Sequence, residues 1–425
     1  LPDYLGSCAF FVLSTDPIGD HDRQHELKNA EVLDLRPLRL AVIETPLAII
    51  ALILRTARVP SRLVPRSKVG RALSQSNIAI DLAGISFVDK RGYANLVYNT
   101  LMTLLPILHG VRTIKAAQAI GPCSTWVSNR VAKAVLGRLE WIGARGDQTR
   151  NHLDEMGLHN VETVADIAFS LDEAKDLPSN VGTLLPTGEF IAVMPSIVVE
   201  RLFDNDSNRY LDAMAEVIER LADTSRLPIV LAPHSYERSE RRHRMNDRPT
   251  LLELGLRLAH RNDVVVVDAE LTAAQLRTLI AKSSFLVTSR FHAMISALAT
   301  CTPLFVIGWS HKYREVLSDF GLEQLGTSHD ALEHPTETAR RINEQLQCRQ
   351  RVFVKVCPQS SSVQNVTSSE LPNSLGRAGH ERPDGCDRIG HVHRLRSMRS
   401  HSPTGFSRPR QGHTHLYAIC SWWSR

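Results

Sequence analysis

The 425-residue chain is poor in paired cysteines. Its seven cysteines show no CxxC spacing; Cys8, Cys123 and Cys301 stand far apart, and Cys348, Cys357, Cys386 and Cys420 fall near the C-terminal end. That pattern excludes a disulfide framework and a zinc ribbon, and fits reduced thiols. No Walker A loop, metal triad or nicotinamide fingerprint is spelled anywhere. No basic segment leading into an apolar signal core opens the chain. The longest uninterrupted apolar run, Leu47–Leu54, is far short of the ~20 residues that a membrane-spanning helix needs. It reads first as a buried helix. The second reading is a helix lying on a membrane surface, because Arg55, Arg58, Arg62, Arg66 and Lys68 follow it. An excess of one charge is also missing from the body. From Arg351 to the end there are ten Arg and one Lys against four acids, which leaves 39 basic and 41 acidic residues in the rest. A near-neutral body argues against a nucleic-acid-binding protein.

What is present is a long alternation of short apolar runs with helical patterns. Asn77–Leu82, Thr113–Ala119, Trp141–Arg145, Phe190–Met194, Leu227–Ala232, Val264–Val267, Phe285–Val287 and Leu304–Ile307 all read as strands, and Asn77–Leu82, Val264–Val267, Phe285–Val287 and Leu304–Ile307 as buried ones. The segments between them have helical length and spacing, which means parallel, doubly wound sheets. The fold class is therefore α/β, with two Rossmann-like domains. Leu171–Glu189, polar and interrupted by Pro178, Gly182, Pro186 and Gly188, reads as the linker. The expected layout is a first domain over residues 1–175, a second over 188–349, and a basic, low-complexity tail over 350–425 that is left disordered. Ser235–Thr250 reads as a charged, mobile loop.

The richest stretch runs from Phe285 to Phe320, FLVTSRFHAMISALATCTPLFVIGWSHKYREVLSDF. A strand ends at a turn carrying Arg290 and His292, and a small-residue helix follows. A second strand then ends at a loop carrying His311 and Lys312. In a parallel sheet such loops converge at the carboxyl ends of the strands, where ligands bind. Two fixed cations, two imidazoles and a helix N-terminus facing one crevice suit a small, multiply charged anion such as a phosphate with a carboxylate. His234 follows another strand and points by the same logic into the same crevice. Gly84, after the strand that ends at Asp81, lets a backbone approach a ligand.

The segment SRFHAMISALATCTPLFVIGWSHKY resembles the signature of the polysaccharide pyruvyl transferase family. Similar in series and in order are Asp81–Phe87, Gln118–Pro122, Ala144–Asp147, Asp166–Phe169 and Leu231–His234. The resemblance spans roughly residues 7–345 and implies a glycosyltransferase-B-like fold, two Rossmann-like domains facing across a cleft. The family's first βα unit has no counterpart in this sequence, and Ala83 stands where a glycine is usual.

The resemblance also implies a reaction: transfer of the pyruvyl group of phosphoenolpyruvate to two hydroxyls of a cell-surface glycan or a lipid-linked sugar, as a cyclic ketal. Phosphoenolpyruvate is then a donor substrate, with no cofactor, no metal and no nucleic acid. Arg290 matches the motif arginine and is assigned to phosphoenolpyruvate. His292 is the general acid/base or a phosphate ligand, with His234 second. Lys312, beside His311, neutralises phosphate, and Asp81 and Gly84 line the acceptor side. The expected location is the cytoplasm, with peripheral association at the membrane's inner face. Two alternatives stand beside this reading: a glycosyltransferase or sugar-nucleotide epimerase on the same fold, and an inactive, truncated remnant of the family.

Overall fold

The computed structural model describes residues 9–17, 30–203, 207–238, 246–348 and 415–419. Two parallel sheets carry the fold. The first contains β1 (Ala9–Ser14), β2 (Ala30–Asp34), β3 (Ile78–Asp81), the short β4 (Ile85–Ser86), β5 (Arg112–Ile120), β6 (Trp141–Arg145) and β7 (Val161–Val164). The second contains β8 (Ile191–Met194), β9 (Ile229–Leu231), β10 (Val264–Val266), β11 (Phe285–Thr288), β12 (Leu304–Gly308) and β13 (Gly326–Ser328), in the order β10-β9-β8-β11-β12-β13. The strands β8, β9, β11 and β12 of the second sheet are nearly all apolar, as strands covered on both faces are. Every residue of β3, β8, β9, β11 and β12 is buried. Crossover helices begin where hydroxyl side chains accept from amides of the first turn. Thr125 caps Trp126–Leu136, and Thr272 forms a reciprocal capping box with Gln275 at the start of Ala273–Lys282.

The architecture is the pair of Rossmann-like domains expected from the alternation. Three details differ. The seam lies earlier than residue 175. Phe169 already packs in the core of the second domain, stacked on Phe320 with ring centroids 5.7 Å apart, and Arg277 of the second domain donates to the carbonyls of Ala168 and Leu171. Within the polar-looking linker itself Val181 is buried in the same core, with Leu177 and Leu185 packed against it, which average composition conceals.

The tail is the second difference. His415–Ile419 form a parallel strand, β14, between β1 and β3, so the first sheet runs β2-β1-β14-β3-β5-β6-β7. Without it the facing edges of β1 and β3 would each lack a hydrogen-bonded neighbour. HLYAI contains the strand-favouring residues Tyr417 and Ile419; residues 349–414 lie outside the described set. Third, the apolar run at Leu47–Leu54 belongs to a longer helix. Among the described residues one helical segment, Pro37–Thr56, is long and apolar enough to cross a membrane. Its seated face nevertheless packs in the first domain, where Leu40 and Ala48 join the core.

Candidate active site

The carboxyl ends of β8, β9, β11 and β12 hold one polar cluster, and its hub is Asp247. This carboxylate is fully buried. It accepts from the backbone N–H of Ile197, after β8, and of Ser235, after β9, each at 3.0 Å. It also receives Arg290 as a fork, Nε at 2.8 Å on one oxygen and Nη2 on the other. One side chain therefore fastens three strand-end loops. The segment expected to be a mobile loop is, at its end, part of the site: Asn246 and Asp247 are buried, and a helix begins at Arg248. Residues 239–245 lie outside the described set. A buried acid paired with a residue 43 positions away leaves no local periodic trace, so sequence reasoning missed it.

Arg290 is the N-cap residue of the helix Phe291–Ala299, and its own N–H donates to Thr288 Oγ1 at 3.0 Å. Tyr313 fixes the same turn from the next helix, donating to the Ser289 carbonyl at 2.9 Å. His292 follows on the first turn of the helix. Its ring lies 6.4 Å from that of His234, the planes 19° apart. His292 keeps exposed surface as a residue, although protein packs closely around it. That desolvation lowers its pKa; Asp166 opposes the shift, and Arg145, Lys312 and Arg290 add to it. His234 is more enclosed, and burial, then His292 and Arg290, push it down to about 3. Both imidazoles are therefore neutral at pH 7.

The first domain supplies the opposite wall. Arg145, the last residue of β6, donates to Asp166 at 2.7 Å and lies 5.6 Å from the centroid of the Phe291 ring in the second domain. Burial raises the Asp166 carboxyl, but Arg145, His292 and the Ala168 N–H outweigh it and hold its pKa below the usual value. Both residues sit in motifs visible in the sequence, yet neither stands out there as a site residue. Lys312 completes the cluster on the helix His311–Asp319. Burial, then Arg145 and Arg91, press its ammonium down to about 8, against Asp166 and Glu315. Arg145, Arg290 and Lys312 thus surround two neutral histidines and the N-terminus of a helix. Such a grouping of cations, imidazoles and helix amides has the chemistry to hold a multiply charged anion beside proton-transfer groups.

The remaining expected residues are His311, Asp81 and Gly84. His311 is exposed at the first position of its helix. Asp81 is not an open lining group: it is buried, ion-paired with Lys115, and accepts from the Ala83 N–H at 2.9 Å. A bulge in β5 between Lys115 and Gln118, with Ala117 at φ 50°, brings both onto that network, where Gln118 donates to the Asp81 carbonyl at 3.0 Å. The network stiffens the loop 82–88. Gly84, in that loop, is exposed. Among the described residues no group of three His, Cys, Asp or Glu side chains is placed to hold a metal ion.

Residues 29–311 match the polysaccharide pyruvyl transferase family. The chain belongs to that family. No curated protein matches it. Solved structures share its fold at low identity. The UDP-GlcNAc 2-epimerase of Neisseria meningitidis bound to UDP-GlcNAc is 8% identical with a TM-score of 0.50, covering 86% of this chain and 99% of that one. A further UDP-N-acetylglucosamine 2-epimerase is 12% identical at a TM-score of 0.50, covering 89% and 98%. A Listeria monocytogenes protein assigned to the same epimerases is 10% identical at 0.50, covering 85% and 94%. At such identities the likeness establishes the two-domain, glycosyltransferase-B-like fold and nothing about substrate. Membership of the family makes the pyruvyl transferase chain one of a family of transferases.

Proposed function

We propose that this pyruvyl transferase uses phosphoenolpyruvate as donor and ketalates two hydroxyls of a glycan or lipid-linked sugar, working in the cytoplasm. The observation that carries the reading is the convergence of Arg145, Lys312 and Arg290 on the neutral His292 and His234 at one set of strand ends. In the reaction one sugar oxygen bonds to C2 while C3 gains a proton. The C2–O bond to phosphate then breaks, and the second sugar oxygen closes the ring. Of the two hydroxyl protons, one balances C3 and the other leaves with phosphate. Arg145 and Lys312 grip the phosphate together with the amides at the start of Phe291–Ala299. Arg290, forked onto Asp247, holds the turn in place and contributes its charge from behind. An arriving phosphate raises the His292 pKa, so that the imidazole accepts the hydroxyl proton and delivers one to C3. Gly84 leaves room for the acceptor. Asp81 acts beneath it through Lys115, as support for the loop and not as a ligand.

Calorimetry with phosphoenolpyruvate and with UDP-sugars tests this on the wild type, Lys312→Ala and Arg145→Ala. Saturable phosphoenolpyruvate binding that both variants weaken by tenfold or more is the expected result. Binding of a UDP-sugar alone would move the chain to nucleotide-sugar chemistry. A protein with neither ligand binding nor a cooperative unfolding transition would be an inactive remnant.

A further inference from the structure

The helical segment Pro37–Thr56 turns its largest side chains outward. Leu38, Val42, Ile43, Ile49, Ile50 and Ile53 are between 44% and 76% exposed. The opposite side is seated in the domain and cannot leave it cheaply. Glu44 is buried there, receiving Arg39 Nε at 3.0 Å and the Ser67 hydroxyl. At the far end Arg55 donates to the carbonyls of Leu108 and His109 at 2.9 and 3.2 Å. The segment therefore lies along the molecular surface instead of standing free to cross a bilayer. An uncovered apolar strip of this kind marks a contact site.

The charge beside the strip identifies the contact. Arg58, Arg62, Arg66 and Lys68 follow it, all exposed, and no acidic residue occurs between Thr45 and Ile80. The body of the protein is close to neutral, so this is a local concentration of positive charge. The next helix in the layer, Gly92–Leu108, packs against Thr45–Thr56 and is itself flanked by Trp126–Leu136; these two expose Tyr93 and Trp126, side chains with an apolar body and a polar handle. We propose that this face of the first domain docks on an anionic lipid bilayer. The isoleucines, Leu38 and Val42 enter the acyl boundary, and the arginines meet the headgroups. A second copy of this chain fits less well, because a twofold contact through the strip would set the basic cluster against itself. The inference does not depend on the identity of the donor.

The test is co-sedimentation of the full chain with vesicles of phosphatidylcholine, with and without phosphatidylglycerol. Binding is expected only with the anionic lipid and weakens as salt rises. Arg62→Glu/Arg66→Glu lowers the partition coefficient about tenfold or more. Ile49→Gln/Ile53→Gln lowers it similarly, and neither variant changes the unfolding midpoint, since all four side chains are exposed. Three results would overturn the proposal: no binding to anionic vesicles at low salt; undiminished binding by Arg62→Glu/Arg66→Glu, which would place the effect on the basic residues beyond 350; or a dimer in solution that Ile49→Gln/Ile53→Gln abolishes.

Discussion

Arg290 gives two guanidinium nitrogens to the carboxylate of Asp247, which is fully buried and ties the loops after β8 and β9 to the turn after β11. Truncating one partner strands a buried charge, which costs about 3–5 kcal/mol. Arg290→Ala is therefore expected to lower unfolding stability by that order, read from denaturant melts, in addition to any loss of ligand binding. Asp247→Ala behaves alike, and the double variant costs clearly less than the sum, the mark of direct coupling. Arg290→Lys recovers only part, since an ammonium cannot reproduce the fork.

Acid sensitivity follows from the enclosed histidines. Burial and neighbouring cations push His234 down to about 3, and burial with Arg55 and Arg66 pushes His109 down to about 4, both from 6.5. Above pH 6.5 each is neutral folded and unfolded, so neither affects stability. As pH falls below 6.5 the unfolded chain takes up protons that the folded one refuses, and stability is lost until the folded values are reached. The loss is at most about 1.4 kcal/mol per pH unit for each histidine. Denaturant melts between pH 7 and about 4 should show this limb, and His109→Gln should flatten it without touching the cleft.

The strands were the legible part. Trp141–Arg145 is found with its expected boundaries, and β8, β9, β11 and β12 lie within one or two residues of theirs, the last four because strands covered on both faces are nearly continuous apolar runs. Arg290, His292, His234 and Lys312 were legible as strand-end residues, and the structure brings them together. Asp247, Arg145 and Asp166 were not, since their importance lies in contacts between distant segments. Asp81 misled for the same reason: a strand-end acid looks like a lining group until Lys115 is seen beneath it.

Lys312 should set an alkaline limit on donor binding. Its ammonium is pressed down to about 8 by burial, Arg145 and Arg91. The protonated form is the one that grips an anion, so affinity for phosphoenolpyruvate should fall as pH rises past about 8. A bound phosphate moves the limb upward in the complex, so the free protein shows it most clearly. In Lys312→Arg the charge persists, and the limb should vanish between pH 7 and 10 in calorimetric titrations. An unchanged limb in that variant would take Lys312 out of the donor site.

Two glycines allow the proposed acceptor and donor sides to be tested separately. A Cβ on Gly84 would meet nothing within 4 Å, and its backbone needs no left-handed conformation. Gly84→Ala should therefore fold as well as the wild type, whereas Gly84→Tyr should raise the acceptor KM while leaving calorimetric binding of phosphoenolpyruvate unchanged. Gly146 is the opposite case. It sits at φ +77°, and its Cβ would lie 3.0 Å from Glu315 Oε1, one turn beyond Lys312. Gly146→Ala should cost about 1–2 kcal/mol from the backbone alone and push the two walls of the cleft apart where Arg145 and Lys312 meet. Its donor affinity should fall before its acceptor KM changes. The reverse order would place the acceptor, and not phosphoenolpyruvate, between Arg145 and Lys312.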